Sequence, residues 1–284
     1  TIQSAINNSL DGFVVVIYPG RYNELISTSK RLNIVGINKN ECIILYNTEH
    51  NQDVFTLFGS GGGLFSISNI TILQTNNEGG EALDVGGAEG IYDGEVYVDN
   101  VILNSLNEEA MQIKNARNVF ISNSNLIGSG AGLYLSNNIR EATYVVEITN
   151  SQLIGTIFSG ISVAGGQALR CQGSFISGGD DELYDANQAI YLGEIKSMPF
   201  FDNCIIIGGK NNAAVKVTTD IGIQILNSRV VKNGNADYVV IPPGGVPPNG
   251  YNVAIALCAM NASLHPLVHN TITNSLNVID SRIE

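Results

Sequence analysis

The sequence repeats one phrase, and this phrase decides the fold. One copy reads Val119-Phe120-Ile121-Ser122-Asn123-Ser124-Asn125-Leu126-Ile127, and the next reads Val146-Glu147-Ile148-Thr149-Asn150-Ser151-Gln152-Leu153-Ile154. In both, alternating aliphatic residues flank one turn-forming Asn, a pattern typical of short strands joined by a tight bend. Other copies carry the marker residue at Asn69, Asn100, Gly173, Asn203 and Asn227.

The markers recur at the spacing of a solenoid. Successive markers are 31, 23, 27, 23, 30 and 24 residues apart, and periods of this size are typical of solenoid proteins. Because Asn tolerates the left-handed backbone conformation, stacked Asn residues are predicted to form an amide ladder inside the tube. A leucine-rich repeat would need Leu-x-x-Leu-x-Leu spacing, and a β-sandwich would lack a shared phrase.

A second short strand lies between successive markers, and it completes the prediction of the fold. We expect an all-β, right-handed, single-stranded parallel β-helix of roughly nine or ten coils at this period. Residues 1–284 are predicted to form one domain, with an N-terminal cap at 1–12 and a protruding Asn-, Gly- and Pro-rich loop at 233–250. Alternation places these residues of the second strand inside: Leu83, Val85, Met111, Ile113, Leu133, Leu135, Ile161, Val163, Ile190, Leu192, Val215 and Val217.

Composition excludes several classes of function. The net charge is -12 and no basic stripe is visible, so nucleic-acid binding is not expected. No segment reaches the roughly 18 apolar residues of a membrane span. The cysteines have neither zinc nor redox spacing and are expected as buried free thiols: Cys42, Cys171, Cys204 and Cys258. The abrupt start at Thr1 leads us to expect a fragment of a longer chain.

The N-terminal segment resembles the start of the pectin-lyase-like superfamily, and of pectin methylesterases in particular. The matching phrases are Thr1-Ile2-Gln3, Ala5-Ile6, Pro19-Gly20-Arg21-Tyr22-Asn23-Glu24 and Gly36. The resemblance covers the first part of the chain and implies the β-helix fold. The paired catalytic phrases of the esterases are missing, and the downstream repeats resemble those of polysaccharide lyases, mannuronan epimerases and phage tailspikes.

The outward positions of the second strand form the first candidate site. Alternation exposes Asp84, Gln112, Tyr134, Ser162, Tyr191 and Lys216. Tyr rings stack on sugar faces, and the polar groups can bond hydroxyls, so this row is predicted to bind polysaccharide or cell-surface glycan. An ordinary solvated sheet face is the alternative interpretation.

The second candidate is the acidic segment Gly178-Gly179-Asp180-Asp181-Glu182-Leu183-Tyr184-Asp185. It resembles a polygalacturonase phrase in which carboxylates act as acid and base, so Asp180, Asp181 and Asp185 are candidate catalytic residues. A solvated acidic loop is the alternative. Glu108 and Glu109 occupy the equivalent turn three coils earlier and could belong to the same extended groove.

No cofactor or metal site is predicted, although a lyase would need Ca²⁺ and a basic residue. Four basic residues lie near turns without a pattern that selects one: Arg117, Arg140, Arg170 and Lys196. On a strand, His265 and His269 would be too far apart to share a metal ion.

Three functions remain open at this point. The first is a virion or surface β-helix that recognises polysaccharide, tailspike-like, with or without depolymerase activity, and expected as a homotrimer. The second is a secreted lyase or glycoside hydrolase that acts on uronic-acid polymers. The third is a structural β-helix without catalysis. The first two predict an extracellular or virion-surface location.

Overall fold

The computed structural model describes residues 1–47, 52–59, 63–75, 78–86, 92–114, 116–136, 145–165, 168–179, 188–193, 195, 197–209, 214–217 and 223–231, followed by the backbone of short strands between 239 and 283. Within these residues, the chain forms one short helix and three parallel sheets of 11, 11 and 10 strands. Each coil contributes one strand to each sheet. The all-β parallel solenoid predicted from the repeat is confirmed.

The first sheet contains the strands that precede the marker residues. They are Val14–Ile17, Asn33–Gly36, Leu64–Ser68, Tyr92–Asp99, Ala116–Ser122, Val145–Thr149, Ala168–Gln172, Phe200–Asp202, Ile223–Leu226, Val253–Ala256 and Leu276–Ile279. The second sheet follows the markers. Its strands are Gly20–Asn23, Cys42–Tyr46, Thr71–Gln74, Ile102–Ser105, Asn125–Gly128, Gln152–Gly155, Phe175–Ser177, Ile205–Ile207, Arg229–Val231, Ala259–Met260 and Arg282–Ile283.

The third sheet contains the strand predicted between markers. Its members are Ile26–Thr28, Phe55–Leu57, Leu83–Val85, Met111–Ile113, Leu133–Leu135, Ile161–Val163, Ile190–Leu192, Val215–Val217, Val239–Val240 and Val268–His269. The twelve side chains predicted to face inward are all buried. Val239–Val240 lies within the segment predicted as a protruding loop, and the rest of that segment lies outside the described residues.

The N-terminal cap is the helix Ile2–Asn8, which buries Ile2 and Ile6 against the first coil. The Thr1 side chain accepts a hydrogen bond from the Ser4 amide. The Glu24 carboxylate accepts hydrogen bonds from the amides of Ile2 and Gln3, at 2.8 and 3.0 Å. Free amides at a helix start need such acceptors, so Glu24 ties the cap to the turn that carries the family-like phrase.

The marker residues adopt the predicted left-handed conformation, with φ between 48° and 56° at the six Asn and 61° at Gly173. The prediction that their amides line the interior is wrong. Four of the six Asn are exposed, because the left-handed bend points the side chain away from the core. Only one amide pair stacks directly in the described hydrogen bonds, Asn100 Nδ2 to Asn69 Oδ1 at 2.6 Å.

A serine ladder occupies the interior instead. The residue after each marker points inward, and Ser124, Ser151 and Ser174 are buried in successive coils. The Ser124 amide donates to Ser151 Oγ at 3.2 Å, and the Ser151 amide donates to Ser174 Oγ at 3.1 Å. Each hydroxyl thus satisfies a backbone group at the bend, where the regular sheet bonding is interrupted.

Candidate functional site

The row of side chains predicted on the third sheet is in register. Asp84, Gln112, Tyr134, Ser162, Tyr191 and Lys216 are successive Cα partners on adjacent strands. Their exposure changes along the row, since Asp84 and Gln112 are only 2% and 7% exposed whereas the other four are half-buried. With about 4.8 Å between strands, the row from Asp84 to Lys216 is about 24 Å long.

A second row lies two residues before the strands of the third sheet. In three successive coils its members are acidic: Asp53, Glu81 and Glu109. In the next coils the same position holds Ala131, Ser159 and Gln188. The acidic residues therefore cluster at one end of the sheet, beside Asp84 and Gln112.

Two glycines bring Glu81 into this cluster. Gly79 and Gly80 have φ values of 110° and 101°, a region that residues with a side chain rarely adopt. A Cβ at Gly80 would lie 2.2 Å from the Gln52 carbonyl oxygen, so this close passage requires glycine. The Glu81 amide then donates to Asp53 Oδ1 at 3.1 Å.

The two rows enclose a groove with a volume of about 970 Å³. Its acidic lining comprises Asp53, Glu81, Asp84, Glu108 and Glu109. Lys114 also lines it, with Nζ 3.9 Å from Asp84 Oδ2. Tyr134 lies at the end of the groove from which the half-buried row continues.

Burial raises the pKa of three carboxyl groups in the groove. It raises the pKa of Glu81 to about 10, helped by the hydrogen bond with the Asp53 side chain and by the Asp53 and Asp84 charges. Burial also raises the pKa of Asp84 to about 7; the Asp53 charge raises it further, and Lys114 opposes the shift. Burial raises the pKa of Glu109 as well. The groove thus holds one carboxyl that stays protonated at neutral pH and one that exchanges its proton there.

The half-buried part of the row presents two Tyr rings and a cation. Lys216 Nζ lies 5.8 Å from the centre of the Tyr191 ring, within the range of a cation–π contact. Ser162 lies between Tyr134 and Tyr191 as their Cα partner. This arrangement offers flat rings and hydrogen-bonding groups to an extended ligand.

Several residues predicted from the sequence fall elsewhere. Asp180, Asp181 and Asp185 lie outside the described residues, as do Arg140, Lys196 and His265. Arg170 pairs with Glu147 at 3.4 Å on the first sheet, away from the groove.

The sequence reasoning missed Asp53, Glu81 and Lys114. The signal that could have found the two acids is their constant offset of two residues before the strands Phe55–Leu57 and Leu83–Val85.

Within the described part of the chain, no three His, Cys, Asp or Glu side chains are arranged to hold a metal ion. None of the helical segments described is long and apolar enough to cross a bilayer. Cys42, Cys171 and Cys204 are free and buried, and Cys258 lies outside the described residues.

Known protein structures with a similar fold were found for this chain. No protein-family model matches the sequence, and no curated protein matches it either. Among solved structures, the Geobacillus virus E2 ORF18 protein matches with a TM-score of 0.68 and 14% identity, over 99% of this chain. Pectate lyase Pel9A gives a TM-score of 0.68 and 11% identity, over 99% of this chain and 72% of its own.

The fold is that of the pectin-lyase-like right-handed parallel β-helix proteins. A third β-helix neighbour is tailspike protein 2 of the Escherichia coli O157:H7 bacteriophage CAB120, with a TM-score of 0.58, 10% identity and 91% of this chain covered. This β-helix chain spans 56% of the Geobacillus virus protein and 35% of the tailspike. The similarity confirms the predicted fold group and concerns the fold alone.

Proposed function

We propose that this chain is a surface or virion-associated β-helix that binds polysaccharide along the third sheet and hydrolyses it in the acidic groove. The observation that carries the proposal is the carboxyl cluster at the end of the in-register row, formed by buried Asp84 and half-buried Asp53 and Glu81. Carboxyl groups whose environments push their pKa values apart are suited to acid and base roles. Tyr rings along the same row supply a surface on which sugars stack.

The proposed reaction is the hydrolysis of a glycosidic bond. Asp84 in its protonated form gives its proton to the glycosidic oxygen as the bond from that oxygen to the anomeric carbon breaks. Water attacks the anomeric carbon, and its proton passes to the carboxylate of Asp53, which lies beside Glu81. Lys114 keeps the pKa of Asp84 from rising further, so Asp84 still releases its proton near neutral pH.

Elimination is less well supported by this groove. A lyase must neutralise a uronate carboxylate before a base removes the adjacent proton, whereas the groove lining is mainly acidic. The tailspike-like surface role is supported by the fold shared with a virus protein and a tailspike. A module of this kind is proposed to assemble as a homotrimer, which the particle mass in solution would test.

The test is incubation of the protein with a panel of neutral and acidic polysaccharides. We expect new reducing ends without unsaturated ends, and loss of release in Asp84→Asn. Glu147→Gln removes a carboxylate on the first sheet and is the matched control. Unsaturated ends would indicate a lyase, for which Ca²⁺ dependence is then measured, and binding without any product would indicate recognition alone.

Asp180, Asp181 and Asp185 remain a separate proposal for the catalytic carboxylates. The double variant Asp180→Asn/Asp181→Asn distinguishes the two locations. If the acidic groove is the active site, this variant keeps its activity while Asp84→Asn loses it.

A further inference from the structure

The outer face of the first sheet carries a row of side chains whose order is self-complementary around its centre. Successive Cα partners on adjacent strands form this first-sheet row: Tyr97, Phe120, Glu147, Arg170, Phe200 and Gln224. Each of these side chains is half-buried or exposed. The midpoint lies between Glu147 and Arg170, which carry opposite charges, and a Phe ring follows on either side. The row therefore matches its own reversed copy, with acid against base and ring against ring.

The two central charges are accessible to a partner. Arg170 Nη1 lies 3.4 Å from Glu147 Oε1 within one copy, and the side chains keep 64% and 39% of their exposure. A two-fold axis parallel to the strands, midway between these residues, would place Glu147 of one copy opposite Arg170 of the other, twice. Each charge would then have an opposite charge beside it in its own chain and another across the contact.

The charges select one relative orientation of two copies. The same axis brings Phe120 of one copy opposite Phe200 of the other, and it makes the two solenoids antiparallel. If the solenoids were instead parallel about a two-fold axis, each Glu147 would face the Glu147 of the other copy, and like charges across an interface are costly. The row therefore favours the antiparallel arrangement.

The side chains beside the row fit the same pairing. On one side, the Ser122 hydroxyl of one copy lies opposite the Asp202 carboxylate of the other. On the other side, Val145 lies opposite Ala168, and both are half-buried. Neither pair brings two acidic side chains together, although the net charge of the chain is -12.

The first sheet is large enough for a stable contact. The midpoint of the row lies between the sixth and seventh of its 11 strands, so ten strands of each copy overlap. With about 4.8 Å between strands and about 13 Å of each strand in the face, the overlap covers about 600 Å² per copy. Stable interfaces bury about 600–1,000 Å² per partner, so this contact is at the lower end of that range.

We infer that the outer face of the first sheet binds the same face of a second copy of this chain, with the two solenoids antiparallel. The acidic groove lies on the third sheet, outside this contact, so the inference does not depend on the proposed polysaccharide function. The pairing joins two copies, whereas the homotrimer of a tailspike-like module joins three. The particle mass therefore decides between the two assemblies.

Sedimentation of the wild-type protein over a wide range of concentrations tests the pairing. The mass of one copy is 30.3 kDa, and we expect it to double as the concentration rises. A single copy at every concentration, or a trimer, overturns the inference. Neither result affects the proposed function, which the release of reducing ends tests separately.

Charge exchange tests the orientation. Arg170→Glu places two acidic side chains opposite each other at both symmetric contacts, so we expect the dissociation constant of the dimer to rise at least about tenfold. The variant Glu147→Arg/Arg170→Glu restores opposite charges at both contacts and should restore the dimer. Arg229→Glu makes the same charge change at an exposed position of the second sheet and is the matched control. Equal weakening by Arg170→Glu and Arg229→Glu, or no recovery in the exchange variant, overturns the inference.

Discussion

The two ends of the polar row on the third sheet share their backbone geometry but differ in chemistry. At one end, Asp84 and Gln112 are buried and line a groove together with Asp53, Glu81 and Glu109 of the second row. At the other end, that second row holds Ala131, Ser159 and Gln188, and the polar row lies half-buried.

The parallel sheet alone therefore does not produce carboxyl groups with shifted pKa values. A parallel ladder places equivalent residues in line, whereas burial and the neighbouring Asp53 charge raise the pKa of Asp84. In the proposed function, proton transfer takes place at the acidic end and ligand stacking at the open end.

The largest expected effect is the loss of turnover on substitution at the acidic end. Asp84→Asn should lower kcat by about 100-fold or more, since general acid–base catalysis contributes about 10²–10⁴-fold. Binding of the polymer should change much less. Kinetics on the best polysaccharide of the panel measure both, and a rise in KM with kcat unchanged would assign Asp84 to binding.

Substitution at the open end should affect binding instead. Tyr191→Ala should raise KM about tenfold, because the loss of one aromatic stacking surface costs about 0.5–1.5 kcal/mol beyond its area, while kcat is retained. Tyr18→Ala, at an exposed position outside the groove, serves as the control. If Tyr191→Ala and Tyr18→Ala bind the polymer as well as the wild type, the open end has no role in binding.

The acidic end should also make stability depend on pH. Because the folded pKa of Glu81 is about 10, above its value in the unfolded chain, its stabilising contribution is complete below the unfolded value. The contribution is lost as pH rises towards the folded value. The Tm should fall between pH 5 and pH 8, by a few degrees. Thermal unfolding of Glu81→Gln should show a smaller fall, and an identical fall would place Glu81 in ordinary solvent-like surroundings.

The smallest expected effect is at Lys216. Lys216 is half-buried and its ammonium contacts the Tyr191 ring, so Lys216→Ala should weaken polymer binding by about two- to fivefold, equivalent to about 0.5–1 kcal/mol. A loss as large as that of Tyr191→Ala would show that the cation contacts the ligand directly. Equilibrium titration with the polysaccharide of the panel that binds best distinguishes these outcomes.

The repeat made the fold predictable because strand alternation and turn chemistry are local properties. The alternation of Leu133-Tyr134-Leu135 placed Tyr134 in the polar row, and the left-handed bends at Asn123 and Asn150 followed from their position in the phrase. The direction of the Asn side chains did not follow, because the bend turns the amide outward and the next residue, such as Ser124, inward.

The acidic site was not predictable in the same way. Asp53 and Glu81 belong to different coils and meet only when the coils stack. The burial that raises the pKa of Asp84 comes from that stacking, together with the close passage at Gly80. The sequence instead predicted a catalytic site at residues 180–185, because several acidic residues lie next to one another there.

The most direct test of the account is a crystal structure of the Asp84→Asn protein with an oligosaccharide from the polymer that binds best. The account predicts a chain of sugars along the third sheet, with one unit in the acidic groove between Glu81 and Tyr134. Further units should run towards Tyr191 and Lys216. A sugar bound on the first or second sheet, with the groove unoccupied at saturating concentration, would contradict it.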